Sequence, residues 1–600
     1  MTPLIESQQP TALPTWAVLQ RQLISAIDEA APVFLEKYTR QGGELIWREG
    51  EQEENTWADD LYEAFFTWPL YYALGGSEYT GDMAAHEWNA ITRQVEFDYG
   101  HVSREFINHA DWFHNGENYI YFYYLGMANP TLTEMARRAR RFAGFYTNED
   151  PQVSNYDAQH RIIRSPFNGS TGPLLHNTPL AYMKWHLGHI HTTLGPGFEL
   201  PEKWYEDADQ IERIRARYDE VVMQGDVPVN LGATALMANA YLYTGEDQYR
   251  DWIVEYTEAW MERIAENGGV IPDNIGPNGQ IGERRQGQWW GGFYGWTCRY
   301  SLQIIGAALT VAAECAQLVT GEVRYLDLLR SHLDMLLERA IERDGSLLVP
   351  SKYMGDGWID YTGMGPAEPI HLWAASMEER DWARLERLRQ GHEPAWRGVA
   401  VRGPRSIDDR AWTRYLAGDL PDYPEQILQA NYREVCQRLD GVMHEEQDLT
   451  QVDEHHWQGR NPVVTEALVH LTTGGPQTVY WGGLAQGRVR YFDAEKRRPG
   501  LPQDVGALVT GLGADKVELT LVNLNPHRQR PVLIGAGSFG EHRFETAEAV
   551  GQEGRVDVSG TWLQVNLRPG TQIDLRLSMR RFCNKPTYAF PWHGGKIPFC

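Results

Sequence analysis

Cysteine is scarce in this sequence. The five thiols, Cys298, Cys315, Cys436, Cys583 and Cys600, are odd in number, far apart and never spaced as Cys-x-x-Cys. Neither a disulfide framework nor a thiolate metal site follows from them, and buried free thiols are expected. Basic charge is also short: 55 Lys and Arg against 81 Asp and Glu leave a formal charge of −26 over 600 residues. That balance argues against nonspecific nucleic-acid binding, which needs clustered Lys and Arg against phosphate. A local basic pocket can still meet an acidic small substrate. The longest apolar run, Ile304 to Ala313, is too short and interrupted to span a bilayer. Met1 to Pro14 carries no Lys or Arg and no continuous apolar stretch, so no secretory signal is legible. The expectation is a soluble, cytoplasmic protein with no membrane partner, no metal and no cofactor.

Aromatic residues are abundant: 18 Phe, 22 Trp and 30 Tyr make 12% of the chain. Large side chains in such numbers belong to a folded protein. From residue 15 to about 475, apolar residues recur at three- and four-residue spacing and predict helices. Examples are 19–38, 61–74, 83–100, 132–146, 211–222, 233–244, 248–267, 300–320 and 324–342, with a charged helix pair over 377–397. The joins at Tyr72–Tyr79, Tyr243–Tyr249 and Leu318–Tyr325 share one form, a helix end, a Gly and a short turn into the next helix. Gly takes a left-handed conformation without penalty, so these read as repeated helical hairpins. Short turns alternate with long loops rich in Trp, His and Asp. A closed ring with short turns on one rim and functional loops on the other fits that alternation.

Past Thr472 the period changes to two, over 478–481, 488–492, 517–523, 530–534, 555–558, 561–566 and 572–577. The expected organisation is a mainly α ring over 1–475, an antiparallel β-sandwich over 476–578 and an aromatic tail over 579–600. A helical ring followed by a β-sandwich resembles the (α/α)-toroid carbohydrate-active enzymes of the polysaccharide lyase and glycoside hydrolase type. The resemblance is one of architecture, with no residue-by-residue signature.

Several segments concentrate polar and aromatic groups. Asn108–Tyr124 holds His109, Asp111, His114, Asn115, Glu117, Tyr119, Tyr121 and Tyr123. Buried polar groups need partners, so such density suggests one wall of a sugar pocket. The plainer reading is a helix start capped by Asn115, with the tyrosines packed between helices. His109, Asp111 and His114 lack a convincing further metal ligand. Asp59 and Asp60 stand at a helix start, where they either cap it or present a carboxylate at the rim. Arg161–Gly172 is a loop whose Arg164 and Asn168 can hold a carboxylate, with His176 nearby and His186 and His189 at helical spacing. Gly282–Trp296 sets Arg284, Arg285, Trp289, Trp290, Tyr294 and Trp296 among glycines. Flat aromatic faces stack on sugar C–H groups and Arg forks to carboxylates. Ser351–Tyr361 repeats the theme with Lys352, Tyr353, Asp356, Trp358, Asp360 and Tyr361, and Asp453–Arg460 adds His455.

Two chemistries compete. Elimination on a uronic-acid oligosaccharide needs a neutralised carboxylate, a base and an acid. Toroid lyases use Asn, His, Tyr and Arg for these tasks, and the resemblance points to His109, His114, Asn115, Tyr119, Tyr121 and Arg164 as catalytic. Hydrolysis, including action on unsaturated uronides, instead needs paired carboxylates from Asp59, Asp60, Asp111, Glu117, Glu283, Asp356 and Asp360. Elimination is the favoured expectation. A non-catalytic carbohydrate-binding protein using the same Trp loops is the further alternative.

Overall fold

The computed structural model describes residues 2–48, 60–189, 191–355, 357–401, 408–551 and 554–598. Helices of the first half are α1 (Thr15–Tyr38), α2 (Asp60–Glu63), α3 (Thr67–Leu74), α4 (Glu78–Phe97), α5 (Trp112–Ala128), α6 (Thr133–Gly144), α7 (Leu180–His189), α8 (Ala208–Val221) and α9 (Ala233–Thr244). The second half adds α10 (Asp247–Glu266), α11 (Ser301–Thr320), α12 (Asp327–Glu338), α13 (Ala367–Ser376), α14 (Glu379–Arg389), α15 (Arg410–Leu416), α16 (Tyr423–Met443) and α17 (Glu466–Leu468). The helix expected over 61–74 divides into α2 and α3 at a turn over 64–66. Pro69 then falls in the first turn of α3, where its missing N–H costs nothing.

Helices α3, α5, α9, α11 and α13 pack side by side in chain order, with α4, α6, α10, α12 and α14 outside them. Helix α1 lies along α16 and closes the ring. The architecture is an (α/α) toroid. Helix α11 is long and apolar enough, by composition, to cross a membrane, but most of it is buried in the ring wall. At one rim the turns are short: Gly245 (φ 65°) and Gly321 (φ 76°) end α9 and α11 in the left-handed conformation. The opposite rim carries the long loops and the N-terminal ends of the inner helices.

Short ladders β3 (Val102–Ser103) with β4 (Phe106–Ile107) and β5 (Tyr156–Asp157) with β6 (Ile162–Ile163) pin two of these loops. A larger meander joins β7 (Ile341–Arg343), β8 (Ser346–Met354) and β9 (Gly357–Gly363). Ser351–Tyr361, expected as an irregular loop, is therefore mostly hairpin; its aromatic content hid a run that pairs along its length.

The C-terminal strands are β10 (Val489–Asp493), β11 (Arg498–Pro499), β12 (Val505–Leu512), β13 (Lys516–Asn523), β14 (Arg530–Ala536), β15 (Arg543–Ala549), β16 (Arg555–Gly560), β17 (Trp562–Leu567) and β18 (Thr571–Arg580). They form two sheets that share one apolar core. The N-terminus joins them: β1 (Leu4–Glu6) pairs in parallel with β17, and β2 (Gln9–Pro10) with β18. Those first residues were expected with the ring; Ile5 instead buries its side chain in the sheet core. The expected strand over 478–481 makes no ladder. It turns at Gly482 and Gly483 and sends Tyr480 and Trp481 into the ring.

The two sheets seal the short-turn rim. The tail crosses it, with the Tyr588 hydroxyl donating to the Tyr123 carbonyl (3.1 Å) and to Asn239 Oδ1 (2.8 Å). A Cβ at Gly321 would lie 2.4 Å from the Phe582 carbonyl oxygen, so the chain passes there only because the residue is glycine.

Candidate active site

Chemistry-bearing side chains gather where the inner helices begin. Asp111 caps α5, its Oδ1 accepting from the backbone N–H of Phe113 (2.9 Å) and His114 (3.2 Å). Its Oδ2 lies 2.9 Å from His114 Nδ1, which fixes the imidazole at the helix mouth. Glu117 follows one turn later and accepts from the Trp481 indole N–H (2.9 Å). Close approach of that loop depends on Gly116, where a Cβ would come within 2.5 Å of the Trp481 carbonyl carbon. Phe113 stacks on Trp481, with ring centroids 5.2 Å apart.

Helix α2 brings Asp60 and Glu63 to the same place, because residues three apart share a helix face. One oxygen from each of Asp60, Glu63 and Glu117 lies within 4.8 Å of the others, and all three residues are buried. Each has a distinct holder. His455 Nδ1 stands 2.9 Å from Asp60 Oδ1 and remains partly open to solvent. Glu63 accepts from the Tyr480 hydroxyl and from the Gln458 amide, and Gln458 also donates to the Tyr480 hydroxyl (2.8 Å). Asp60, Glu454 and His455 form a second set with ligand atoms within 4.8 Å. Either set has the donors and spacing to hold a divalent cation; the same closeness serves acid–base chemistry.

Beyond Trp481 opens a cavity of about 500 Å³. Its walls come from α11, α13, the β8–β9 hairpin and the loop of Tyr480 and Trp481. Lys352 and Asp360 pair across the hairpin at 2.7 Å. Glu368 lies against Gly306 of α11, where a Cβ would meet its Oε1 at 2.9 Å. Burial pushes the Glu368 carboxyl up to about 7. His371 backs the wall. Its Nδ1 faces Glu314 Oε1 (2.9 Å) and its Nε2 the Gln477 carbonyl (2.9 Å). Both partners offer acceptor oxygens, which favours the doubly protonated ring. Burial opposes that charge, and the Glu314 carboxylate overrides it, leaving His371 above its ordinary value. Behind it, Asp409 holds His470 Nε2 at 2.9 Å and the Gln477 backbone N–H at 3.1 Å.

A family model described as "Domain of unknown function (DUF8034)" matches residues 4–352 and 344–469. The chain belongs to this family. No curated protein matches it. Among solved structures, the DUF8034 chain is similar to a D-mannose isomerase at 11% identity and TM-score 0.37, covering 65% of this chain and 89% of that one. It is also similar to an inactive variant of a family 76 α-1,6-mannanase of Salegentibacter sp. HEL1_6 in complex with α-1,6-mannotriose, at 11% identity and TM-score 0.30, covering 75% and 100%. A third is the family 76 glycoside hydrolase (mannosidase) of Bacteroides thetaiotaomicron VPI-5482, at 11% identity and TM-score 0.30, covering 75% and 99%.

In the DUF8034 chain, the residues singled out from sequence fall into three groups. Asp60, Asp111, His114, Glu117, Lys352, Asp360 and His455 stand at the mouth or the cavity. Trp289, Trp290, Tyr353 and Trp358 form a half-buried aromatic cluster beside it; Tyr353 sits 4.7 Å from Trp289 and 5.1 Å from Trp358. The rest are held in structural contacts or are exposed. Tyr119 stacks on Phe106 at 4.8 Å and its oxygen accepts from Ile107 N, while Tyr121 donates to the Ala84 carbonyl (2.7 Å). Both are core residues, because past its second turn α5 runs inside the ring. Asn115 is fully buried and donates to the Ala110 carbonyl (3.4 Å); the cap is Asp111.

Asn168 ties a loop together, donating to Ser165 O and accepting from Trp112 Nε1 (3.1 Å). Trp296 is buried, its indole N–H on the Ile271 carbonyl (2.9 Å). Arg285 is buried on Thr193 Oγ1 (2.8 Å), and burial lowers its guanidinium to about 10. Arg164 donates to the Ser154 carbonyl (3.3 Å), and Arg284 and His176 point to solvent. His109 takes a left-handed backbone (φ 52°) beside Thr171, where burial lowers its imidazole. Asp59 and Asp356 lie outside the described residues.

Glu63, Gln458, Tyr480, Trp481, Glu368 and His371 went unrecognised in the sequence. Glu63 had a legible signal in its three-residue spacing from Asp60. Tyr480 and Trp481 had none, since their run alternates like a strand.

Proposed function

We propose that this chain is a carbohydrate-active enzyme that hydrolyses a glycosidic bond at the Asp60–Glu63–Glu117 cluster. The observation that carries this reading is the meeting of three buried carboxylates within 4.8 Å at the open rim of the toroid. Like charges so close are tolerated when the set shares protons, and a glycosidase needs one carboxyl protonated and another ionised. Glu63, with both oxygens accepting, is the fixed member that positions the others. Asp60, backed by His455, attacks the anomeric carbon. Glu117, held by Trp481, protonates the departing oxygen and then draws a proton from the water that releases the sugar. Retaining glycosidases set their carboxyls about 5–5.5 Å apart and inverting ones about 6.5–9.5 Å apart. The observed spacing falls nearer the retaining range than the inverting one, so retention of anomeric configuration is expected. The C-terminal sheets, read as a β-sandwich, brace the far rim.

Elimination on a uronide, the chemistry favoured by the residue types of toroid lyases, draws less support from this geometry. Tyr119 and Tyr121 are core, Arg164 and Arg285 are held by Ser154 and Thr193, and Arg284 is exposed. The deciding assay uses a panel of aryl glycosides and oligosaccharides, uronides included. Aryl or reducing-end release that disappears in Glu117→Gln supports hydrolysis. Product absorbing near ~235 nm, formed by base-assisted elimination, sinks it in favour of the lyase.

A further inference from the structure

We infer that the 500 Å³ cavity behind Trp481 is a binding site for a second, uncharged sugar residue, so that the substrate is at least a disaccharide. This rests on the hydrolase reading and extends it to the part of the substrate that is not attacked. Four observations carry it.

The volume lies within the range of about 300–1,000 Å³ typical of small-molecule sites. Its wall combines an indole face with hydroxyl, amide and carboxyl groups from Gln303, Ser351, Thr362 and Glu368, the mixture that recognises a ring of hydroxyls. Its charges balance by count, Arg299, Lys352 and His371 against Asp360, Glu368 and Glu314, with Lys352 paired to Asp360 at 2.7 Å and His371 to Glu314 at 2.9 Å. An anionic sugar would upset this balance, whereas a neutral one leaves it intact. Last, Trp481 belongs to both sites. It lines the cavity and its N–H holds Glu117, so a chain passing over it puts the bond between two sugars beside the carboxylates. Glu368, with its proton held near neutrality, both donates to and accepts from a hydroxyl.

Glu117→Gln keeps the site and lacks the proposed acid, which makes it the protein to titrate. Isothermal titration calorimetry with gluco-, manno- and galacto-disaccharides, and with the corresponding glucuronide disaccharides, gives the dissociation constants. At least one neutral disaccharide is expected to bind more tightly than its monosaccharide and its acidic counterpart. Adding Thr362→Phe, which fills the cavity from solvent-facing β9, should weaken it tenfold or more; adding Glu368→Gln should weaken it severalfold. An unchanged dissociation constant in Thr362→Phe overturns the proposal, as does tighter binding of the acidic sugars or no binding of any disaccharide. A crystal of Glu117→Gln soaked in the tightest disaccharide supplies a readout without cavity variants: a sugar ring against Trp481 inside the cavity supports the site, and one placed elsewhere contradicts it. Failure of the wild-type protein to cleave any glycoside removes the hydrolase reading, while the titration still reports on the cavity.

Discussion

The two rims of the ring are built from the opposite ends of the same helices, and they differ in what they do with polar groups. At the short-turn rim, Gly245 and Gly321 end their helices in left-handed turns and the sheets and tail cover them. Polar atoms there are spent on structure, as when Tyr588 donates to Tyr123 and Asn239. At the loop rim, helix starts hold carboxylates and imidazoles close together beside open space. Like charges held in proximity oppose folding, and the proposed hydrolysis assigns them to the loop rim, whereas the sealed rim carries stability. Helix α5 shows the contrast within one element: Asp111, His114 and Glu117 in its first two turns face the mouth, and Tyr119 and Tyr121 beyond them face the core.

The largest expected effect separates the rims by activity. Asp60→Asn and Glu117→Gln should each lower the hydrolytic rate by about 100- to 10,000-fold, as loss of an acid–base or nucleophilic group does. Their melting temperatures should hold or rise, because each removes one of three crowded charges. A comparable loss of both activity and stability would erase the distinction.

Gly321→Ala tests the sealed rim. Its Cβ would meet the Phe582 carbonyl at a left-handed φ, and a cost of about 1–3 kcal/mol is expected in denaturant unfolding. Activity per folded molecule should be unchanged. Between these lies Tyr480→Phe, which takes one donor from Glu63 and should slow turnover about tenfold with a smaller change in stability. Tyr121→Phe sharpens the comparison inside α5: loss of the bond to Ala84 should cost about 1 kcal/mol of stability, with kcat and KM unmoved.

The smallest effect is one of slope. Glu87, buried in the wall on α4, has its carboxyl raised to about 8, chiefly by burial and then by the nearby Glu44 charge. A raised folded value means that the proton favours the folded state. That contribution is complete below the ordinary value of 4.5 and is lost as pH climbs through about 8. Glu87→Gln should therefore flatten the decline of melting temperature between these limits; an identical slope would contradict the assignment.

The ring was legible in the sequence because helical periodicity and repeated Gly-ended turns are local signals, and α9 falls on its expected bounds. The hairpin β8–β9 was hidden by its polar and aromatic content, and the pairing of β1 with β17 joins partners far apart in sequence, which leaves no mark on either segment alone. The site was half legible. Asp60, His114, Glu117, Lys352, Asp360 and His455 stood out as polar groups among aromatic residues. Arg285 and Trp296 stood out equally and are buried structure, because glycine-rich loops also pack tightly. Tyr480 and Trp481 could not be found from periodicity, since their direction is set by the turn at Gly482 and by the gap at Gly116.

One measurement bears most directly on the loop-rim carboxylates. Wild type, Asp60→Asn and Glu117→Gln are incubated with the oligosaccharide panel, and the anomeric configuration of the fresh reducing end is followed by proton NMR. The account predicts cleavage by wild type with the anomer retained and no cleavage by either variant. An inverted product, an unsaturated one, or undiminished cleavage by both variants would contradict it.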